Sequence, residues 1–182
     1  MNTIKNTQDQ ERILLKNDIF EHITALLDTN HARYRVMEHA TGGKSEEVAK
    51  IRGTHLGQGA KALVCHVKGN NYRQYILAIL PADQQADLAV LAKQAGGNRA
   101  SLASPKEVSE LTRCVFGAIP PFSFHPDLKL IADPLLFERY DELAFNAGSL
   151  ERSIILNTED YRRIAMPELI AFRKVINQPD LT

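Results

Sequence analysis

The 182-residue chain has the length of one domain, enough to bury roughly 70% of the surface its unfolded form exposes. Its 44% apolar and 24% charged side chains argue against a disordered polypeptide, and 22 basic against 22 acidic groups leave no net charge with which to coat DNA or long RNA. No apolar run approaches the roughly 18 residues of a membrane-spanning helix, and residues 1–10 are polar with no signal-peptide character, so the cytoplasm is the expected location.

Residues 1–17 read as a polar extension and 18–182 as a single domain. Asp18 is placed to cap a helix over 18–28, where Ile19, Phe20, Ile23, Leu26 and Leu27 form one apolar stripe. Residues 34–38 alternate as a strand, and His39-Ala40-Thr41-Gly42-Gly43 ends it with turn chemistry. A short helix follows over 45–51, with Ser45 as cap and Gly53 as stop. The apolar runs 62–67 and 75–80, joined around Lys68-Gly69-Asn70-Asn71, predict a β-hairpin that Pro81-Ala82-Asp83 closes.

Residues 87–93 read as a helix stopped at Gly96-Gly97. Ser104-Pro105-Lys106-Glu107 is a helix start, with Ser104 at the cap, Pro105 first and Glu107 in capping-box register. Residues 117–127 form a Pro- and aromatic-rich loop. Short strands are expected at 128–132, 143–145 and 153–156. Thr158-Glu159-Asp160 opens a closing helix, and Pro167 is expected to begin another. Strands and helices intersperse without a strict βαβ rhythm. The fold expected is α/β: a single domain with a curled, barrel-like mixed sheet and helices outside it.

Two places could carry chemistry. Lys61 stands at the mouth of a buried strand, where its ammonium can hold a phosphate or polarise a carbonyl; a lysine snorkelling to solvent has the same pattern. The loop Gly117-Ala118-Ile119-Pro120-Pro121 holds free amides beside prolines that supply none. Gly117, Ala118 and Ile119 are therefore candidate donors to a developing oxyanion; a rigid connector is the alternative. Between residues 44 and 73 stand Lys44, Lys50, Arg52, Lys61, Lys68 and Arg73 against only Glu46 and Glu47. This is either a solvated face or a local patch able to read one RNA end.

Other chemistries find little support. The Gly57-Gln58-Gly59 turn has neither phosphate-loop nor dinucleotide spacing. His39, His55, His66, His125, Cys65 and Cys114 show no metal-ligand spacing, so neither metal nor cofactor is expected. Cys65 reads as a core residue, and His66, alternating with it, as outward-facing. Ser101 lacks a nucleophile elbow, and a pair of Cys114 with a histidine has no sequence support.

In order along the chain come Gly59-Ala60-Lys61-Ala62-Leu63-Val64, Leu80-Pro81-Ala82-Asp83, Ser101-Leu102-Ala103-Ser104-Pro105, Gly117-Ala118-Ile119-Pro120-Pro121-Phe122, Ala132-Asp133-Pro134 and Asn146-Ala147-Gly148. The ordered set, spanning about residues 39–156, resembles the YbaK/prolyl-tRNA-synthetase-associated editing domain family, most closely its free-standing members. The resemblance implies a trans-editing hydrolase that removes a wrong amino acid, with Ser and Thr favoured, from the 3′ end of tRNA. It implies that Lys61 orients the terminal adenosine and that the Gly117–Pro121 backbone meets the ester. The water would be activated by the terminal ribose hydroxyl, without metal or cofactor.

By position Thr41, Pro121, Ser123, His125, Asp133, Asn146 and Gly148 are candidate pocket or support residues. The aminoacylated tRNA end is the implied partner and a synthetase a second one. A non-catalytic module binding tRNA ends or a synthetase, and a hydrolase of small esters, remain alternatives. One departure stands out: Arg113 follows Thr112 where the family places glycine, which would strain a turn that needs positive φ.

Overall fold

The computed structural model describes residues 19–42 and 44–175. Asp18 and the extension 1–17 lie outside them, as do residues 176–182. Helix α1 (19–29) buries Ile19, Ile23 and Leu27, three residues one turn apart on one stripe. His31 ends it at φ +52, and the Ala32 amide closes back on the Leu27 carbonyl at 2.9 Å.

There follow β1 (Tyr34–Glu38), α2 (Ser45–Arg52), a 3-10 turn (Leu56–Gln58), β2 (Ala60–Gly69) and β3 (Tyr72–Pro81). Then come α3 (Leu88–Gln94), β4 (Arg99–Leu102), α4 (Pro105–Thr112), β5 (Leu128–Ala132) and a second 3-10 turn (Pro134–Phe137). The chain closes with β6 (Glu142–Ser149), β7 (Arg152–Asn157), α5 (Thr158–Ala165) and β8 (Glu168–Leu169).

The single curled sheet expected from the sequence is two sheets, not closed into a barrel. One is antiparallel, in the order β1-β7-β6. The other is mixed, β4-β2-β3-β5-β8, antiparallel through β4, β2 and β3 and parallel from β3 to β5 to β8. β6 pairs along its length with β7 and meets the start of β2 only through an isolated Gly59–Ala144 bridge. Hydrogen bonding passes between the sheets at that seam, and a cleft opens there.

Both faces of the five-stranded sheet are covered. Cys65, Val67, Ile76, Leu80 and Ile131 pack with Leu91 of α3 and Phe172. Val64, Leu77 and Ile79 pack with Ile23 and Leu27 of α1, Phe145 and Ile154 of the other sheet and Tyr161 of α5. A strand buried on both sides has no polar face, which corrects the expectation for His66. It is 7% exposed and stacks on Tyr75 with ring centroids 4.4 Å apart. The Tyr75 hydroxyl donates to Glu107 of α4.

Several local expectations hold and others shift. Ser104 and Glu107 form the reciprocal capping box. α2 is capped by Lys44 rather than Ser45, without a side-chain bond, and Gly53 ends it at φ +70. Arg113 caps α4 at φ +57, ψ +23, the glycine conformation, at a cost of about 1 kcal/mol. Residues 167–169 are not helical. Met166 turns left-handed at φ +46, and the chain then extends into β8, whose edge position on β5 gives the backbone its partners.

Candidate active site

The cleft at the seam has a volume of about 480 Å³. The 3-10 turn feeds β2 into the seam, so Lys61 stands on its wall, half-buried, beside Gly59 and Ala82. Its Nζ donates to the Gln84 carbonyl at 2.5 Å. A lysine ammonium has three N–H donors, so two remain for a ligand. Burial lowers its pKa, and the Asp83 carboxylate pulls it back up. Asp83 is itself held by Arg139 through bonds of 2.7 and 2.8 Å.

Across the cleft lies the loop after α4. The Ala118 amide donates to the Val115 carbonyl at 3.0 Å, closing a β-turn whose third residue is Gly117 at φ +87. A type II turn needs that left-handed position, which explains glycine there. The turn is pinned behind. Asn146 Nδ2 donates to the Gly117 carbonyl at 2.9 Å, the Gly148 amide to the Ala118 carbonyl at 2.9 Å, and the buried Tyr161 hydroxyl to the Pro121 carbonyl at 2.7 Å. The amides of Gly117 and Ile119 have no acceptor among the described residues. Ala118 is therefore not the free donor expected, because its N–H closes the turn.

Among the sequence-level candidates, Thr41, Lys61, Gly117, Ile119 and Asn146 line this one cleft. Ala118 and Pro121 are buried behind it. Ser123 lies outside, its hydroxyl donating to the Leu128 carbonyl at 2.5 Å, and the Asp127 amide donates to His125 Nδ1 at 3.0 Å. Gly148, at φ +79, turns β6 against Ile19 of α1 rather than toward the cleft.

Asp133 is fully buried and serves as a support. Its carboxylate accepts from the amides of Leu135, Phe172 and Arg173 and from the Arg173 guanidinium. Burial pushes its pKa up, but these donors outweigh it and leave it below the ordinary carboxylate value. A depressed folded pKa adds stability above the unfolded value, near 4, and loses it as pH falls through the folded value. Asp133→Asn is expected to lose about 2–3 kcal/mol at pH 7, read by urea unfolding, and to flatten the fall in stability below pH 4. An unchanged midpoint and acid slope would discount the clamp.

The sequence reading passed over Arg52, although it counted this residue in the basic segment. Arg52 ends α2 and reaches under the cleft. Its Nε donates to Ser153 Oγ at 2.8 Å and its Nη2 to Asn146 Oδ1 at 2.9 Å. Ser153 is fully buried and also bonds His39 Nε2 at 2.7 Å. Burial lowers the Arg52 pKa to about 10. Lys44, Arg52 and Lys61 all line the cleft; no carboxylate, histidine or cysteine among the described residues does. Both thiols lie elsewhere, Cys65 raised by burial to about 12 and Cys114 to about 11, so neither is a ready nucleophile. No cluster of three or more metal-ligating side chains occurs among the described residues, and none of their helices is long and apolar enough to cross a membrane.

The seam of this two-sheet α/β domain thus holds one cleft lined by Lys44, Arg52 and Lys61 and by the pinned Gly117 turn. The model of the aminoacyl-tRNA editing domain matches residues 39–164, and the chain belongs to that family. It is 67% identical over 154 residues to the multifunctional Ser/Thr-tRNA deacylase ProXp-y of Escherichia coli strain K12 and equally to that of strain O157:H7, covering 85% of this chain and 92% of each relative. Two solved structures share the fold. The hypothetical protein APE2540 has a TM-score of 0.73 at 18% identity, covering 84% of this chain and 99% of the other. A proposed trans-editing enzyme for prolyl tRNA synthetase has 0.71 at 22%, covering 86% and 97%.

Proposed function

We propose that this chain is a trans-editing hydrolase that cuts the ester between a wrongly attached amino acid and the terminal ribose of tRNA. Serine and threonine are the favoured amino acids, in keeping with the activity named for the 67% identical relatives. The observation that carries the reading is that Lys61 and the Gly117 turn line one cleft, whose lining includes no histidine or carboxylate among the described residues.

Lys61 and Lys44 attract the phosphate-bearing 3′ end, and Lys61 orients the terminal nucleotide. The carbonyl oxygen of the ester lies against the Gly117 and Ile119 amides, which stabilise the oxyanion as water adds to the carbonyl carbon. No histidine or carboxylate among the described residues lines the cleft, and the vicinal ribose hydroxyl orients that water and relays its proton. The tetrahedral intermediate then breaks its bond to the ribose oxygen, which leaves protonated. Free amino acid and intact tRNA result. The site works in the cytoplasm, where tRNA is charged, and a synthetase that releases the mischarged product is the second partner we assign.

The test is release of labelled amino acid from Ser-, Thr-, Ala- and Cys-charged mismatched tRNA with the protein at catalytic amounts. Multiple turnovers are expected on intact tRNA, and loss of at least about 100-fold on tRNA ending in 2′-deoxyadenosine. Binding without release would make the chain a tRNA-end module. Undiminished turnover on the deoxy substrate would remove the ribose hydroxyl from the mechanism.

A further inference from the structure

The cleft contains a cation with no counter-ion among the described residues. Arg52 carries five N–H donors, and two of them go to the neutral oxygens of Ser153 and Asn146. No acidic side chain among the described residues pairs with it, and it lines the cleft. An arginine drawn from water and left with unused donors is a site waiting for an acceptor.

Position says which acceptor. Arg52 bonds the fully buried Ser153, and through Asn146 it stands one side chain behind the Gly117 carbonyl. A tRNA end entering the cleft continues outward as a polymer. Its phosphates therefore stay toward the mouth, and on the deacylase reading the aminoacyl group lies at the ester beside the Gly117 turn, which Asn146 links to Arg52. The same cleft is lined by the apolar Val48, Ala49, Ala144, Phe145 and Leu150, the first two on the helix that carries Arg52. A serine or threonine side chain brings one oxygen that can accept from these donors, and an alanine side chain brings none.

Resting on the deacylase reading, we propose that Arg52, held by Ser153 and Asn146, is the specificity residue that donates to the β-hydroxyl of a seryl or threonyl group. The guanidinium donates to the hydroxyl oxygen. Alanine, lacking that oxygen, leaves the donors unpaired and is the poorer substrate, since a site built to bond a hydroxyl discriminates strongly against its absence.

The experiment is single-turnover deacylation, protein in excess, of the same tRNA charged with serine, threonine or alanine. Arg52→Lys keeps the charge but loses the planar fork. It is expected to slow serine and threonine about 10- to 100-fold and alanine less than about twofold, with an unfolding midpoint near the wild type. Ser153→Ala, a smaller change that loosens the guanidinium, lowers the serine-to-alanine ratio in the same direction by less. An equal fall on all three substrates would make Arg52 only a support of the Gly117 turn and overturn the proposal. So would an unchanged ratio in both variants. Wild-type protein that releases none of the three would instead sink the deacylase reading itself, and this proposal with it.

Discussion

Lys61→Ala is expected to lower kcat/KM for a seryl-tRNA substrate about 1,000-fold while the domain stays folded. The ammonium is half-buried on the wall of the cleft, where the Gln84 carbonyl takes one of its three donors and two remain. A charge in a partly desolvated site acts more strongly on a developing anion than the same charge in water, and removing one such donor costs about 100- to 1,000-fold. Loss of the phosphate contact adds to this at low substrate. The fold should tolerate the change, because the register of Lys61 with Leu80 is backbone pairing and the freed Gln84 carbonyl lies within reach of water. Lys61→Arg retains the charge but is longer and planar, so it should recover binding more than turnover. The measurements are single-turnover deacylation and urea unfolding on the same preparations. Activity within tenfold of wild type would discard Lys61 as the orienting group.

Much of the fold was legible because its signals were local. The capping box at Ser104 and Glu107 is a contact between residues three apart, and the hairpin of β2 and β3 turns on Asn70-Asn71, with Asn71 at φ +54. What escaped depends on distant partners. β4 is four residues, half of them polar, and is a strand only because β2 offers it an edge. The segment after Pro167 resembled a helix start, yet Asp133, 39 residues away from Phe172, catches its amides and holds it extended. His66 defied alternation because covering elements lie on both faces of its sheet, a fact of topology rather than of the strand.

The site divides the same way. Gly117 announced itself as the glycine that opens a Pro-rich loop, and the structure gives it the left-handed position of a tight turn. Lys61, by contrast, reads like any lysine at a strand end until the seam brings β6 opposite. Arg52 was one cation among six in a basic segment. Its burial and its bonds to Ser153 and Asn146 come from residues about 100 positions later, and no spacing rule reaches that far. Ala118 failed for a smaller reason, since the turn that exposes the Gly117 amide uses up that of Ala118.

Gly117→Val should reduce deacylation by more than about 100-fold. Two effects separate here. The first is backbone strain: at φ +87 any side chain costs about 1–2 kcal/mol, and a β-branched one more. The second is obstruction. A Cβ at Gly117 meets only Leu150 Cδ2, at 3.3 Å, a flexible atom that can give way, so the core does not forbid the substitution. The branched side chain would nevertheless stand beside the amides that are to meet the ester, and displacing a reacting group by about 1 Å costs about 100-fold. Gly117→Ala distinguishes the two, because it carries most of the strain and little of the bulk. Its activity is expected to fall about tenfold with a stability loss close to that of the valine variant. Equal activity losses in both variants would assign the effect to strain in the turn. Undiminished turnover in Gly117→Val would mean that the ester is met elsewhere in the cleft, and Ile119, whose amide is also without an acceptor, would be the next backbone donor to test.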